Sequence, residues 1–126
     1  MTIFIFGNPD LASDALTLRI LPELKKRFPH IIFEVKDPQE EWDIPEELVM
    51  IDTIVGIEKV SIVTDIKKLI PPPTISLHDF DVASYLHYCK KLGKLKKIKI
   101  IGIPPTILET EALPAVEEII VSSILP

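Results

Sequence analysis

The stretch that decides the fold is IFIFGNPDLASDALTLRILPELKKRFP, Ile3 to Pro29. Ile3 to Phe6 is a short unbroken apolar run, which predicts a strand buried on both faces. Gly7 to Asp14, GNPDLASD, is a glycine-led loop ending in a carboxylate. From Asp14 to Phe28, Leu18, Leu21, Leu24 and Phe28 recur near helical spacing, with Leu16 and Ile20 beside them. That pattern predicts an amphipathic helix packed on a sheet. Pro22 falls inside it, where its ring meets the carbonyl of Leu18, so a kink or two abutting pieces are expected. Pro29 closes the helix.

The remainder of the chain continues the alternation. Ile31 to Val35 predicts a second strand, and Leu48 to Val55 a third, interrupted near its far end by Asp52. Between them, Asp37 to Glu47 is mostly polar and holds Pro38 and Pro45, which predicts a loop. Glu58 to Val63 follows Gly56 and predicts a strand turning back antiparallel. Ile70 to Thr74 carries three consecutive prolines and cannot be central sheet. A helix is expected to start at Asp79 or Asp81, to place Val82, Leu86 and Cys89 on one side, and to stop at Gly93. Ile98 to Ile101 predicts another buried strand, and Pro114 to Leu125 a last helix with Glu117 and Glu118 in its first turns. Strands alternating with helices predict an α/β fold: three α/β/α layers around a mostly parallel, mixed five-stranded sheet. No repeat or linker divides residues 1–126, which read as a single domain.

Composition narrows the function classes. The chain has 126 residues, 47% of them apolar and 26% charged, the balance of a globular protein with one real core. Its net charge of -5 argues against a nucleic-acid partner. The single thiol, Cys89, cannot form an internal disulfide, which favours a reducing compartment. The opening run lacks a basic leader, and no apolar run approaches the ~20 residues that span a bilayer. A cytoplasmic location without membrane insertion is the expectation.

In open sheets of this kind ligands bind beyond the carboxyl ends of the strands. Asp14 follows the first strand, Asp52 lies near the end of the third, and His78 sits in the loop before the second helix. Two carboxylates and an imidazole form a reasonable oxygen-and-nitrogen set for a first-row divalent metal. Each residue also has a plainer reading. Asp14 suits a helix N-cap, Asp52 suits a strand end emerging into solvent, and His78 suits an ordinary loop histidine. His30 and His87 read as structural or exposed, and Cys89 as core.

Other chemistries find no support. GNPDLASD lacks the Gly-Lys-Ser/Thr of a phosphate loop and the later glycines of a dinucleotide loop, so no organic cofactor is expected. Ser76 lies two residues before His78 without a Gly-x-Ser-x-Gly turn around it, which removes the case for a serine hydrolase. The lysines between Lys90 and Lys99 read as a solvated face protecting a strand edge.

Four landmarks in order carry a family resemblance: IFIFGNPDLASDALTLRILPELKKRFP, LVMIDTIVG, TISLHDFDVASYL and IKIIGIPP. Together they span nearly the whole chain. The sequence resembles the hydrogenase maturation proteases, endopeptidases that finish the large subunit of nickel-iron hydrogenases. The resemblance places the family's metal-binding positions on Asp14, Asp52 and His78, with Asp14 and Asp52 as the candidate catalytic acids and Gly7, Asn8 and Ser76 as candidate substrate contacts. The implied reaction removes a C-terminal extension from the large-subunit precursor after nickel insertion. The nickel travels with the substrate and serves in its recognition. Family members usually carry an acidic pair followed by a Gly-x-Gly spacing. Here Ser13-Asp14 is followed by Ala15, Leu16 and Thr17, and the first ligand is Asp where Glu is common in relatives. The departure bears on catalytic competence more than on fold. The alternative it raises is a non-catalytic accessory module that binds metal or precursor without cutting.

Overall fold

A computed structural model describes residues 1–11, 15–36, 45–64, 91, 93 and 96–126. Five strands, β1 (Thr2–Phe6), β2 (Ile32–Lys36), β3 (Glu47–Thr53), β4 (Ser61–Val63) and β5 (Lys97–Ile103), form one sheet in the order β2-β1-β3-β5-β4. β1, β2, β3 and β5 run parallel, and β4 pairs antiparallel with β5, as the residues after Gly56 predict. The chain is therefore α/β with a mixed, mostly parallel sheet. Gly56 adopts φ +96° in the turn that sends the chain back towards β4, a conformation that favours glycine.

The central strands are apolar on both sides because both sides are covered. Ile3, Ile5, Ile51 and Ile101 pack on one face with the helices α1 (Leu16–Arg27) and α2 (Glu109–Ile119). Phe4, Phe6, Leu48, Met50, Ile98 and Ile100 form a second buried cluster from residues of opposite parity. The helix expected from residue 79 or 81 lies largely outside the described residues. Lys91 is helical, and Gly93 has φ +76°, as the expected helix stop requires.

α1 buries Leu16, Thr17, Ile20, Leu21 and Leu24, a stripe at helical spacing. Pro22 lies within it, on the exposed side, and the element is one continuous helix of 12 residues, not two pieces. Exposure explains the tolerance: water can serve the carbonyl that the proline leaves without a helical donor. Lys25, Lys26 and Arg27 fill its last turn, where the helix dipole favours cations. α1 meets α2 through two ion pairs, Arg19 with Glu109 at 2.5 Å and Arg27 with Glu117. The hydrogen bond from Arg27 to Glu117 raises the guanidinium pKa above its usual value.

One expectation needs correction. The last helix starts at Glu109, not Pro114, and it is Glu109 and Glu111, not Glu117 and Glu118, that occupy its first turn. Leu108, extended at the N-cap, sets that start, and Pro114 sits inside the helix. The helix ends in a π-helical turn, Ile120–Ile124, closed by the Leu125 amide donating to the Ile120 carbonyl at 2.8 Å. The lysines at the start of β5 lie beyond the reach of β4, which pairs only with Ile100, Ile101 and Gly102, and Lys97 and Lys99 are exposed, as the solvated-face reading expects. Lys97 stands opposite Glu47 in the ladder and pairs with it at 3.5 Å, while Lys96 pairs with Glu46 at 3.6 Å. Lys99 donates to the Ser123 carbonyl at 2.9 Å, tying β5 to the last helical turn.

Candidate active site

The strand order reverses direction between β1 and β3: from β1 the chain goes outward to β2, then returns to the other side for β3. Loops leaving the carboxyl ends of two such strands diverge and open a crevice. The polar burial of the molecule gathers there. Among the described residues the buried polar or charged side chains are Thr17, Asp52 and Thr53. Thr53 ends β3, Asp52 precedes it, and Thr17 reaches the last residue of β1.

Asp52 is 5% exposed. Its Oδ1 accepts a hydrogen bond from the Thr53 backbone N–H at 2.8 Å, which orients the carboxylate at the strand end. The β1–β3 ladder pairs Phe4 with Met50 and Ile5 with Ile51, so Asp52 comes one residue past its last pair. On the other side Asp52 is paired with Gly102 of β5. A Cβ at Gly102 would lie 2.5 Å from Ile54 Cδ1 and 3.2 Å from Ile57 Cδ1. Glycine at this position thus makes room for the isoleucines that follow Asp52, and the Ile54 amide extends the ladder by donating to the Ile103 carbonyl at 2.9 Å.

The loop after β1 has its own order. Asn8 Oδ1 accepts from the Asp10 amide at 3.0 Å, and the Leu11 amide donates to the Asn8 carbonyl at 3.2 Å. Gly7 and Asn8 are half-buried at the carboxyl end of β1, next to the end of β3. On the far side of the loop, Ala15 is buried and receives the first amides of α1, from Leu18 and Arg19, both at 3.1 Å. Thr17 Oγ1 donates to the Phe6 carbonyl at 2.7 Å, joining the first turn of α1 to the end of β1.

Of the residues read from the sequence, Asp52, Gly7 and Asn8 therefore lie at one end of the sheet, beside the crossing point. Asp14, Ser76 and His78 lie outside the described residues, as do His87 and Cys89. His30 is exposed in the turn after α1, as expected of a residue without a special role. Among the described residues no group of three or more His, Cys, Asp or Glu side chains converges. Sequence reasoning missed Thr17 and Gly102. The available signals were a hydroxyl within the apolar stripe of α1 and a glycine inside the apolar run of β5.

The architecture matches solved structures over nearly its whole length. HybD, a hydrogenase maturating endopeptidase from E. coli, is 23% identical, with a TM-score of 0.57 over 95% of this chain and 85% of that one. The fold is that of the hydrogenase maturation endopeptidases. A hydrogenase 3 maturation protease shares it at 16% identity and a TM-score of 0.62, covering 94% of this chain and 87% of the other. An endopeptidase from Escherichia coli, solved in solution, gives 20% identity and a TM-score of 0.64 over 96% and 91%. No family model matches the chain, and no curated protein matches it. The maturation-endopeptidase fold thus agrees with the family resemblance that the four sequence landmarks carry. Among the described residues no helix is long and apolar enough to cross a membrane.

Proposed function

We propose that the protein is an endopeptidase that removes the C-terminal extension of a nickel-iron hydrogenase large-subunit precursor after nickel insertion. The observation that carries this reading is Asp52: a buried carboxylate at the end of β3, beside the strand crossing, in a maturation-endopeptidase fold. A charge at so buried a position is costly unless its surroundings are built for it, and here a backbone N–H holds one carboxylate oxygen.

In this reading Asp14, Asp52 and His78 offer two carboxylates and an imidazole to the nickel that the substrate brings. Oxygen and nitrogen donors of this kind suit Ni(II). Binding through the cargo metal confines cleavage to loaded precursors. Hydrolysis consumes one water: its oxygen joins the scissile carbonyl carbon, the C–N bond breaks, and the leaving nitrogen gains a proton. Asp14 or Asp52 serves as the base that takes the proton from that water. Leu11, Val55 and Leu108 are exposed in the segments leaving β1, β3 and β5, apolar side chains available to a polypeptide substrate.

The test is incubation of the purified protein with nickel-loaded and nickel-free precursor, read by mass spectrometry. Loss of the extension from the loaded form alone is the expected result. A stable complex without cleavage would instead identify the accessory module, the reading favoured by Ala15 and Thr17 in the first motif.

A further inference from the structure

Thr17 is a hydroxyl residue in the apolar stripe of α1, with 0% of its surface exposed. Core packing alone does not require oxygen at this position; a valine has the same shape. The oxygen has a specific partner, the carbonyl of Phe6, at 2.7 Å. Phe6 is the last residue of β1, one position past the pairing of Ile5 with Ile51, the residue before Asp52. The bond therefore joins the two ends of the loop that leaves β1, at the strand adjoining Asp52. Thr17 is also the last residue of the Ala15-Leu16-Thr17 run, where the family resemblance implies a Gly-x-Gly spacing.

We propose that Thr17 is a positioning residue for cleavage, its hydroxyl locking the first turn of α1 onto the end of β1 and so fixing the loop of Gly7 and Asn8 against Asp52. The inference rests on the endopeptidase reading above. It treats the altered first motif as a replacement of backbone freedom by a side-chain latch, compatible with activity. Thr17 touches neither substrate nor metal. Its effect runs through the geometry of the residues that do, and a displacement of about 1 Å at a reacting centre costs up to ~100-fold in rate.

The experiment compares the parent with Thr17→Val, which keeps the shape and removes the donor, Thr17→Ser, which keeps the donor, and Asp52→Asn. Processing of nickel-loaded precursor is measured per folded molecule, well below each melting temperature, with kcat and KM separated. Amide hydrogen exchange at Leu18 and Arg19 is followed in parallel. The expected result is a fall in kcat of about 10-fold or more for Thr17→Val. KM should hold, exchange in the first turn of α1 should quicken, and Thr17→Ser should restore all three. Thr17→Val at the parental kcat overturns the proposal, and so does Thr17→Ser as slow as the valine variant. In both cases an inactive Asp52→Asn shows that the endopeptidase reading still stands. If Asp52→Asn processes at the parental rate, or the parent does not cleave, the endopeptidase reading fails and this proposal falls with it. Should Thr17→Val not fold, Thr17→Ala takes its place, with the same outcomes.

Discussion

The two ends of the sheet handle charge in opposite ways. At the amino ends of β3 and β5, Glu46, Glu47, Lys96 and Lys97 stand in solvent and pair across the ladder at 3.5–3.6 Å. The Lys96 and Lys97 amides both donate to the Glu46 carbonyl, at 2.8 and 2.9 Å, so the backbone closes this end without help from the side chains. At the carboxyl ends of β1 and β3, Asp52 is buried, Thr53 supplies it a backbone donor, and Thr17 reaches across to Phe6. Exposed ion pairs are worth little because water and salt screen them. A buried carboxylate is expensive unless it is hydrogen-bonded, and here the Thr53 N–H holds one oxygen. The same strands thus carry surface charge at one end and a prepared charge at the other. The contrast identifies which end to probe.

Substitution at the prepared end should break function first. Asp52→Asn is nearly isosteric and removes the charge; we expect processing to fall by roughly 10²–10⁴-fold with the melting curve retained. His78→Ala should likewise abolish processing. Parental maturation by either variant would remove it from the site. Between the ends lies the core, where Leu24 is fully buried on α1. Leu24→Ala should cost about 2–5 kcal/mol in denaturant unfolding and leave the residual folded protein active. A smaller effect follows from Gly102→Ala. The added methyl meets Ile54, and a flexible side chain can give way, so a loss of about 1–3 kcal/mol is expected, with slower processing because the shift lies next to Asp52. The least effect belongs to the charged end. Lys97→Ala should change stability by about 0–1 kcal/mol, shrinking further in high salt, and leave processing untouched. A large loss there would show that the amino end does more than face solvent.

The sequence was most readable where one principle dominates. The continuous apolar run Ile3–Phe6 marked a strand covered on both faces, and the isoleucine-rich stretch Ile98–Ile101, broken by the exposed Lys99, marked another that the structure extends to Lys97–Ile103. Asp52 was visible because a charge interrupts such a run. Legibility failed where two rules compete. Pro114 resembles a helix start, yet the extended Leu108 and the acids Glu109 and Glu111 set the start five residues earlier. What the lysines of β5 could not reveal is that the strand beyond them, the distant segment Ser61–Val63, pairs with Ile100, Ile101 and Gly102 and stops short of Lys97 and Lys99. Thr17 was unreadable for a related reason. Its partner is a main-chain carbonyl 11 residues away, and only the folded path of the loop brings hydroxyl and carbonyl together. Gly102 needed Ile54 and Ile57 in place before its missing methyl acquired a meaning.

β4 is a three-residue stub, antiparallel to a neighbour and half-buried along its length. So brief a border gives an incoming extended chain too few main-chain partners to dock as a sixth strand. An extended chain seeking main-chain partners would find a longer border at the opposite edge, where β2 offers five residues and leaves Ile32 and Val35 exposed.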